Sequence, residues 1–387
     1  MQQENERMKL KDGRTLSYAI YGSPVPQKTI VFMHGCQSSR FEGKLWHSAC
    51  ALHNVRIIAP DRPGSGLSTF QINRRILDWP ADVLALTDHL KIHNFYLLGV
   101  SGGAPYVLAC VREVSKDRLL GASIVSGLYP VKLGTAGMML PSRIVLWAAP
   151  WMTGLTTAFF DSTMGKASRN DDPKVLEEII AKEIHSRHPS DQAAITDSTN
   201  WPIYVAMTRE SFYRGSEGAS WEAKLNGSDW GFELGQLYVG ENGMPLSLWH
   251  GREDQNCPAA MAQKAKDLLP GSVLHLKEGE GPMSYIFRDA DKILGDLMGE
   301  TESEEYMMNT KLTSQAIFVI TYLLGLLVTT TSIAFAVPTA PITSAISKFK
   351  TMAQVMDTKP INKATANLFK NANRAYFPIA LVAARNW

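Results

Sequence analysis

Residues 99–103 read Gly-Val-Ser-Gly-Gly, a GxSxG pattern, where an apolar strand-like run, NFYLLGV (94–100), meets a helical one, APYVLACVREV from Ala104. A sharp strand-to-helix turn there needs small neighbours, and it lifts the serine hydroxyl clear of a sheet. The helix start beneath it adds a positive dipole end. The chemistry this suits is nucleophilic attack by Ser101 on a carbonyl carbon. A second stretch, HGCQSSR (34–40), follows the run TIVFMHG. In acyl transfer by a serine, the loop at this place gives a main-chain N–H to the oxyanion, paired with the N–H of the residue after the nucleophile. Those donors are Cys36 and Gly102. Because both roles use main chain, the Cys36 thiol need not react, and His34 is expected to shape the turn.

The elements that must position these residues are legible in the apolar pattern. TIVFMHG (29–35), VRIIAPD (55–61) and NFYLLGV (94–100) are apolar and largely β-branched, as strands buried on both faces should be. Helical stretches separate them, which implies a parallel sheet with right-handed crossovers. LLGASIVSGL (119–128), PLSLWHG (245–251) and SVLHLKE (272–278) extend the same sheet, and Asp12-Gly13 marks a hairpin before it. Between 129 and 241 the strand signal gives way to Trp-, Met- and Pro-rich helical pieces, read as a helical cap inserted over the sheet. The expected fold is α/β, a mostly parallel doubly wound sheet with core segments 1–128 and 242–300, cap 129–241 and a C-terminal extension 301–387.

With 39 basic and 37 acidic residues the net charge is +2, which argues against nucleic acid as an obligate partner. Four cysteines, Cys36, Cys50, Cys110 and Cys257, form no CxxC and have no histidines at metal spacing, so no metal or organic cofactor is expected. The start, MQQENERMKL, lacks the apolar region of a secretory signal, and the expected compartment for the body of the chain is the cytoplasm. From Lys311 onward the chain carries eight Lys/Arg and a single Asp, so the body is acidic and the tail basic. Residues 316–337 form an uncharged run that as a helix would measure about 33 Å, enough for a bilayer core of roughly 30 Å. A C-terminal hydrophobic helix spanning 316–337 and membrane association through it are therefore expected, with a buried C-terminal helix as the alternative. The lysines after it, Lys348, Lys350, Lys359 and Lys363, point the tail to the cytosol. AYFPIALVAA from Ala375 reads as the start of a returning helix.

Four stretches together carry a resemblance: HGCQSSR (34–40), APDRPGSGLS (59–68), GVSGGAPY (99–106) and HGREDQNCP (250–258). The chain resembles an α/β-hydrolase of the esterase and proline-iminopeptidase-like branch from about residue 10 to 298. The resemblance implies that Ser101 is the nucleophile and that Asp254, in the loop after PLSLWHG, is the triad acid. It makes Asp61 and Arg62 braces rather than catalysts. In the family, the loop after the last strand carries Gly-x-Gly-His. Here it reads EGEGPMSY (278–285), and Pro282 stands at the histidine position. A proline accepts no proton, so Ser101 lacks its base.

Among the other histidines, His275 lies too early in the last strand, His250 is expected to be structural, and His185 and His188 sit in the cap, from which one of them could swing in. Two readings follow. One is a serine hydrolase for a small ester, amide or lactone with an incomplete triad. The other is a membrane-tethered pseudoenzyme, or a lyase- or cyclase-like pocket, that binds a small molecule without acyl-enzyme chemistry.

Overall fold

Apolar runs separated by polar turns become eight strands of one sheet. They are β1 (Gln3–Lys9), β2 (Thr15–Gly22), β3 (Lys28–Met33), β4 (Val55–Pro60), β5 (Phe95–Val100), β6 (Leu119–Val125), β7 (Leu246–Gly251) and β8 (Val273–Lys277). The structure, a computed structural model, describes residues 3–241 and 243–300. Strand order is β1-β2-β4-β3-β5-β6-β7-β8. The hairpin β1–β2 and the β2–β4 pair are antiparallel, and every later pair is parallel. This is the mostly parallel α/β sheet expected from the sequence, with β5 near its middle. Residues of β3, β5 and β7 are almost wholly buried, as strands covered on both faces must be.

Helices α1 (His47–Leu52), α2 (Trp79–His89) and α3 (Ala104–Glu113) connect the first strands. After β6 the chain runs through seven helices before it returns to β7: α4 (Leu140–Ala148), α5 (Thr153–Phe160), α6 (Lys166–Ser168), α7 (Pro173–Ile184), α8 (Pro189–Ile195), α9 (Trp201–Ser211) and α10 (Glu217–Gly227). Proline in the first turn opens α4, α7, α8 and α9, where its missing N–H leaves no hydrogen bond unmade. We call α4–α10 the cap. Then α11 (Ala259–Leu268) and α12 (Ser284–Leu297) cover the last strands, and α12 buries Ile286, Ile293 and Leu294 on one face.

Two apolar clusters lie on opposite sides of the sheet, one around Val31, Leu97 and Ile124, the other around Phe32, Leu98 and Val125. Alternate residues of β3, β5 and β6 thus feed opposite faces, as strand pleating requires. The expected span at 316–337 and the extension 301–387 lie outside the described residues. Among the described residues no helix is long and apolar enough to cross a membrane.

Candidate active site

Ser101 follows β5 and leads through a single helical turn into α3. Its φ of +50° lies in the left-handed region that a non-glycine residue seldom adopts, and such strain concentrates at functional sites. The turn is possible because its neighbours are small. A Cβ on Gly103 would sit 2.2 Å from the Met33 carbonyl oxygen at the end of β3. The expected turn between strand and helix is therefore present, and Ser101 opens on a cavity beneath the cap.

The loop after β3 meets this turn at Gly102. A Cβ on Gly102 would lie 3.1 Å from the Cys36 nitrogen and 2.1 Å from Cys36 Sγ, so the two stretches touch only because residue 102 is glycine. The carbonyls of this loop are held from behind. Arg62 donates from Nη1 to the His34 oxygen at 2.6 Å and from Nη2 to the Gly35 oxygen at 3.0 Å, while Glu42 Oε2 accepts the Gly35 N–H at 2.7 Å. His34 accepts from the Arg62 N–H at its Nε2 and donates from Nδ1 to the Gly35 oxygen, which fixes its tautomer. Burial, helped by Arg62, lowers its pKa to about 3, so the ring stays neutral. Arg62 and Asp61 are braces, as the resemblance implied: Asp61 ties Arg40, Ser17 and the Leu67 N–H together.

Arg62 is in turn clamped by a cap residue. Glu222 of α10 accepts from Arg62 at 2.7 Å, from Arg74 at 2.7 Å and from the Tyr106 hydroxyl at 2.9 Å. All four side chains are buried. Although burial pulls the other way, the two arginines hold the Glu222 carboxyl far below the usual range. A cap carboxylate therefore braces the loop that meets Ser101.

On the other side of Ser101 lies the loop after β7. Asp254 is buried; its Oδ1 accepts the N–H groups of Asn256 and Cys257, both at 2.8 Å, and its Oδ2 has no hydrogen-bond partner. His250 Nε2 stands 3.3 Å from that oxygen but directs its proton to the Cys257 carbonyl at 2.5 Å. His250 is thus a structural residue tying the loop to β7. Cys257 lines the cavity together with Ser101, and burial raises its thiol well above its ordinary pKa.

Pro282 lines the same cavity from the loop before α12, and its carbonyl accepts from Ser126 Oγ at 2.8 Å. Asp191 of α8 pins this loop: its Oδ1 accepts the N–H groups of Met283 (2.9 Å) and Ser284 (2.8 Å) at the start of α12. Burial raises the Asp191 pKa, with a contribution from the Asp254 charge that places the two carboxylates in one neighbourhood.

The cavity encloses about 470 Å³. Besides Ser101, Cys36, Cys257 and Pro282 it is lined by Glu42, Arg187 and Tyr204. Burial pushes the Tyr204 hydroxyl up to about 12, so it stays protonated at neutral pH. Arg187 pairs with Glu183 one helical turn earlier, at 2.7 Å. None of the nine histidines lines the cavity. His275 stacks on Trp249 with ring centres 3.9 Å apart, His185 is exposed, and His188 accepts the Ser190 N–H at the start of α8. Sequence reasoning missed Cys257, Asp191, Glu222 and Glu42. Cys257 could have been found as the third residue after Asp254; the others meet the site only through the fold.

A strained serine between strand and helix, a main-chain loop beside it, a carboxylate after a later strand and a helical cap define a hydrolase-like α/β protein. A family model described as alpha/beta hydrolase fold matches residues 28–289, and the chain belongs to that family. It is 25% identical over 286 residues to a proline iminopeptidase of Lactobacillus crispatus (strain ST1), covering 70% of this chain and 88% of that protein. A shorter match, 32% identical over 94 residues, is to the uncharacterized hydrolase YcgS of Bacillus subtilis (strain 168); it covers 24% of this chain and 32% of that protein. The fold is also that of an esterase from Exiguobacterium antarcticum, with a TM-score of 0.53 and 18% identity over 77% of this chain and all of that one.

Proposed function

We propose that the cavity binds a small ester, amide or lactone, presents its carbonyl to Ser101, and transfers the acyl group without a histidine base. The observation that carries this reading is the pairing of a strained Ser101 with Pro282 on one cavity wall. Asp254 supports it, because its buried Oδ2 keeps free the acceptor position that would orient an imidazole. The kinship with a peptidase and the shared fold with an esterase support the substrate class. Loss of the histidine from a serine-protease triad lowers turnover about a millionfold, with roughly 10³–10⁴ over water remaining from the oxyanion site and binding. Ser101 is therefore a slow acceptor of activated acyl and phosphonyl groups.

The test is fluorophosphonate labelling and p-nitrophenyl acetate hydrolysis by the full chain, native and Ser101→Ala. Slow labelling that vanishes in the variant, with hydrolysis near the solution rate, is the expected result. Turnover at ordinary esterase rates through Ser101 would overturn the missing base. A native chain that binds the acetate but never labels would favour the second reading, a binding pocket without acyl transfer, to which the absence of histidine from the cavity lends its weight.

A further inference from the structure

Acyl transfer through Ser101 needs a group on the cavity wall that takes the hydroxyl proton, and the wall offers few. Among the described residues no histidine and no aspartate lines it; its carboxylates are Glu42 and Glu183. Glu183, near the end of α7, is paired with Arg187 at 2.7 Å. Tyr204 is held protonated by burial, and a thiol such as that of Cys36 ordinarily titrates at about 8.5. Glu42 remains. Its Oε2 accepts the Gly35 N–H at 2.7 Å, and its Oε1 accepts no hydrogen bond from a described residue.

Glu42 and Ser101 meet at Gly35. A Cβ on Gly35 would lie 3.5 Å from Glu42 Oε2, 3.8 Å from Glu42 Oε1 and 3.6 Å from the Ser101 Cβ. Carboxylate and nucleophile therefore border the same small space, which the absent side chain of Gly35 leaves open.

We propose that Glu42 is the general base for Ser101, taking the Oγ proton across the space at Gly35, directly or through one water molecule, where the imidazole is missing. This rests on the acyl transfer proposed above and names the group that assists it. As the bond from Oγ to the acyl carbon forms, the Oγ proton passes to the Glu42 carboxylate. As the bond to the leaving oxygen or nitrogen breaks, that proton goes to the departing atom and the carboxylate is regenerated. Burial raises the Glu42 carboxyl above its ordinary 4.5 although Arg62 opposes the rise, which makes it a better base than an exposed glutamate. It is still weaker than an imidazole, so the assisted site stays slow.

The titratable groups that face Glu42 are Arg62 of the loop after β4, His34 and Cys36 of its own loop and Tyr204 of α9. His34 is neutral above about 3, Arg62 stays charged, and neither Cys36 nor Tyr204 ionises in acid. An inflection in mild acid that disappears with the Glu42 carboxylate therefore belongs to Glu42.

The experiment measures fluorophosphonate labelling of the full chain from about pH 4 to pH 9, for native protein, Glu42→Gln, Gly35→Ala and the double variant. Glutamine still accepts the Gly35 N–H through its amide oxygen, so the loop keeps its bond and loses only the base. The alanine methyl fits the shared space at ordinary contact distance and leaves the carboxylate intact. Native labelling should rise with pH through an inflection above 4.5. In Glu42→Gln that inflection should vanish and the rate near neutral pH should fall about tenfold or more. Gly35→Ala should label comparably slowly, and the double variant no more slowly than Glu42→Gln, since both changes break one path. Should Glu42→Gln fail to fold by urea unfolding, Gly35→Ala decides in its place. Labelling of either variant at the native rate overturns the proposal and leaves the proposed function standing. So does slowing in Glu42→Gln with an unchanged pH profile, which means that Glu42 only braces the loop. A native chain that never labels overturns the proposed function and this base with it.

Discussion

The main-chain N–H of Cys257 donates to Asp254 Oδ1 at 2.8 Å, and the same cysteine lines the cavity onto which Ser101 opens. One residue therefore joins the acid loop to the wall of the Ser101 cavity. Asp254 spends one carboxylate oxygen on its own loop and keeps the other, Oδ2, buried and unpaired. A buried unpaired carboxylate oxygen is costly, and it persists where a partner once stood or where function needs it. Here the residue on the cavity wall that could have been that partner is Pro282.

Pro282→His should restore the missing base. The substitution breaks no hydrogen bond, since Pro282 contributes only its carbonyl, to Ser126. We expect p-nitrophenyl acetate turnover to rise at least about a thousandfold. The gain should vanish in Pro282→His/Ser101→Ala and fall steeply in Pro282→His/Asp254→Asn, because the imidazole then loses the carboxylate that orients it. Equal rates for Pro282→His and the native chain would mean that the loop does not aim residue 282 at Ser101.

Asp191 holds the loop that carries Pro282, so its removal should be felt in stability and in the rescue alike. Asp191→Ala leaves the Met283 and Ser284 N–H groups at the start of α12 without acceptors. A lost cap of this kind lowers stability by about 1–2 kcal/mol, measurable by urea unfolding. A Cβ on Gly281 would stand 2.3 Å from Asp191 Oδ2, so Gly281→Ala should destabilise through that same carboxylate. The double variant should then be less destabilised than the sum of the two single ones, whereas independent effects would add.

Glu222→Ala should be the most damaging of the single substitutions. It leaves Arg62 and Arg74 buried and uncompensated, for which about 3–5 kcal/mol is the expected loss. Because Arg62 also holds the His34 and Gly35 carbonyls, labelling of Ser101 should slow in step with the loss of order in that loop. An unfolding midpoint unchanged from native would show that the clamp is not part of the fold's support.

What the sequence disclosed and what it concealed divide along contact range. Strands β3 to β8, the Ser101 turn and the Asp254 loop were legible because apolar runs, glycines and chain order are local signals. The partners of Pro282 and Arg62 were not. Asp191 meets Met283 across 92 residues and Glu222 meets Arg62 across 160, and no local pattern specifies which cap carboxylate will reach the core.

His34 makes stability depend on mild acid. Its folded pKa of about 3 lies below the ordinary histidine value of 6.5, so between those limits the unfolded chain binds a proton that the folded chain refuses. Stability from this group is complete above pH 6.5 and is lost as pH falls, at about 1.4 kcal/mol per pH unit, or roughly 2 kcal/mol between pH 7 and 5. His47, lowered by burial and by Lys44, acts in the same direction; Glu42, Glu210 and Asp191, raised by burial, act oppositely just above the carboxylate range. Glu222, held low, contributes its own loss only below pH 4.5. The comparison that isolates His34 is therefore urea unfolding of native and His34→Gln at pH 7 and pH 5. Glutamine can donate to the Gly35 carbonyl and accept from the Arg62 N–H but does not titrate. The native chain should lose about 2 kcal/mol more than the variant over this interval, and identical slopes would mean that His34 is protonated in the fold despite Arg62 beside it.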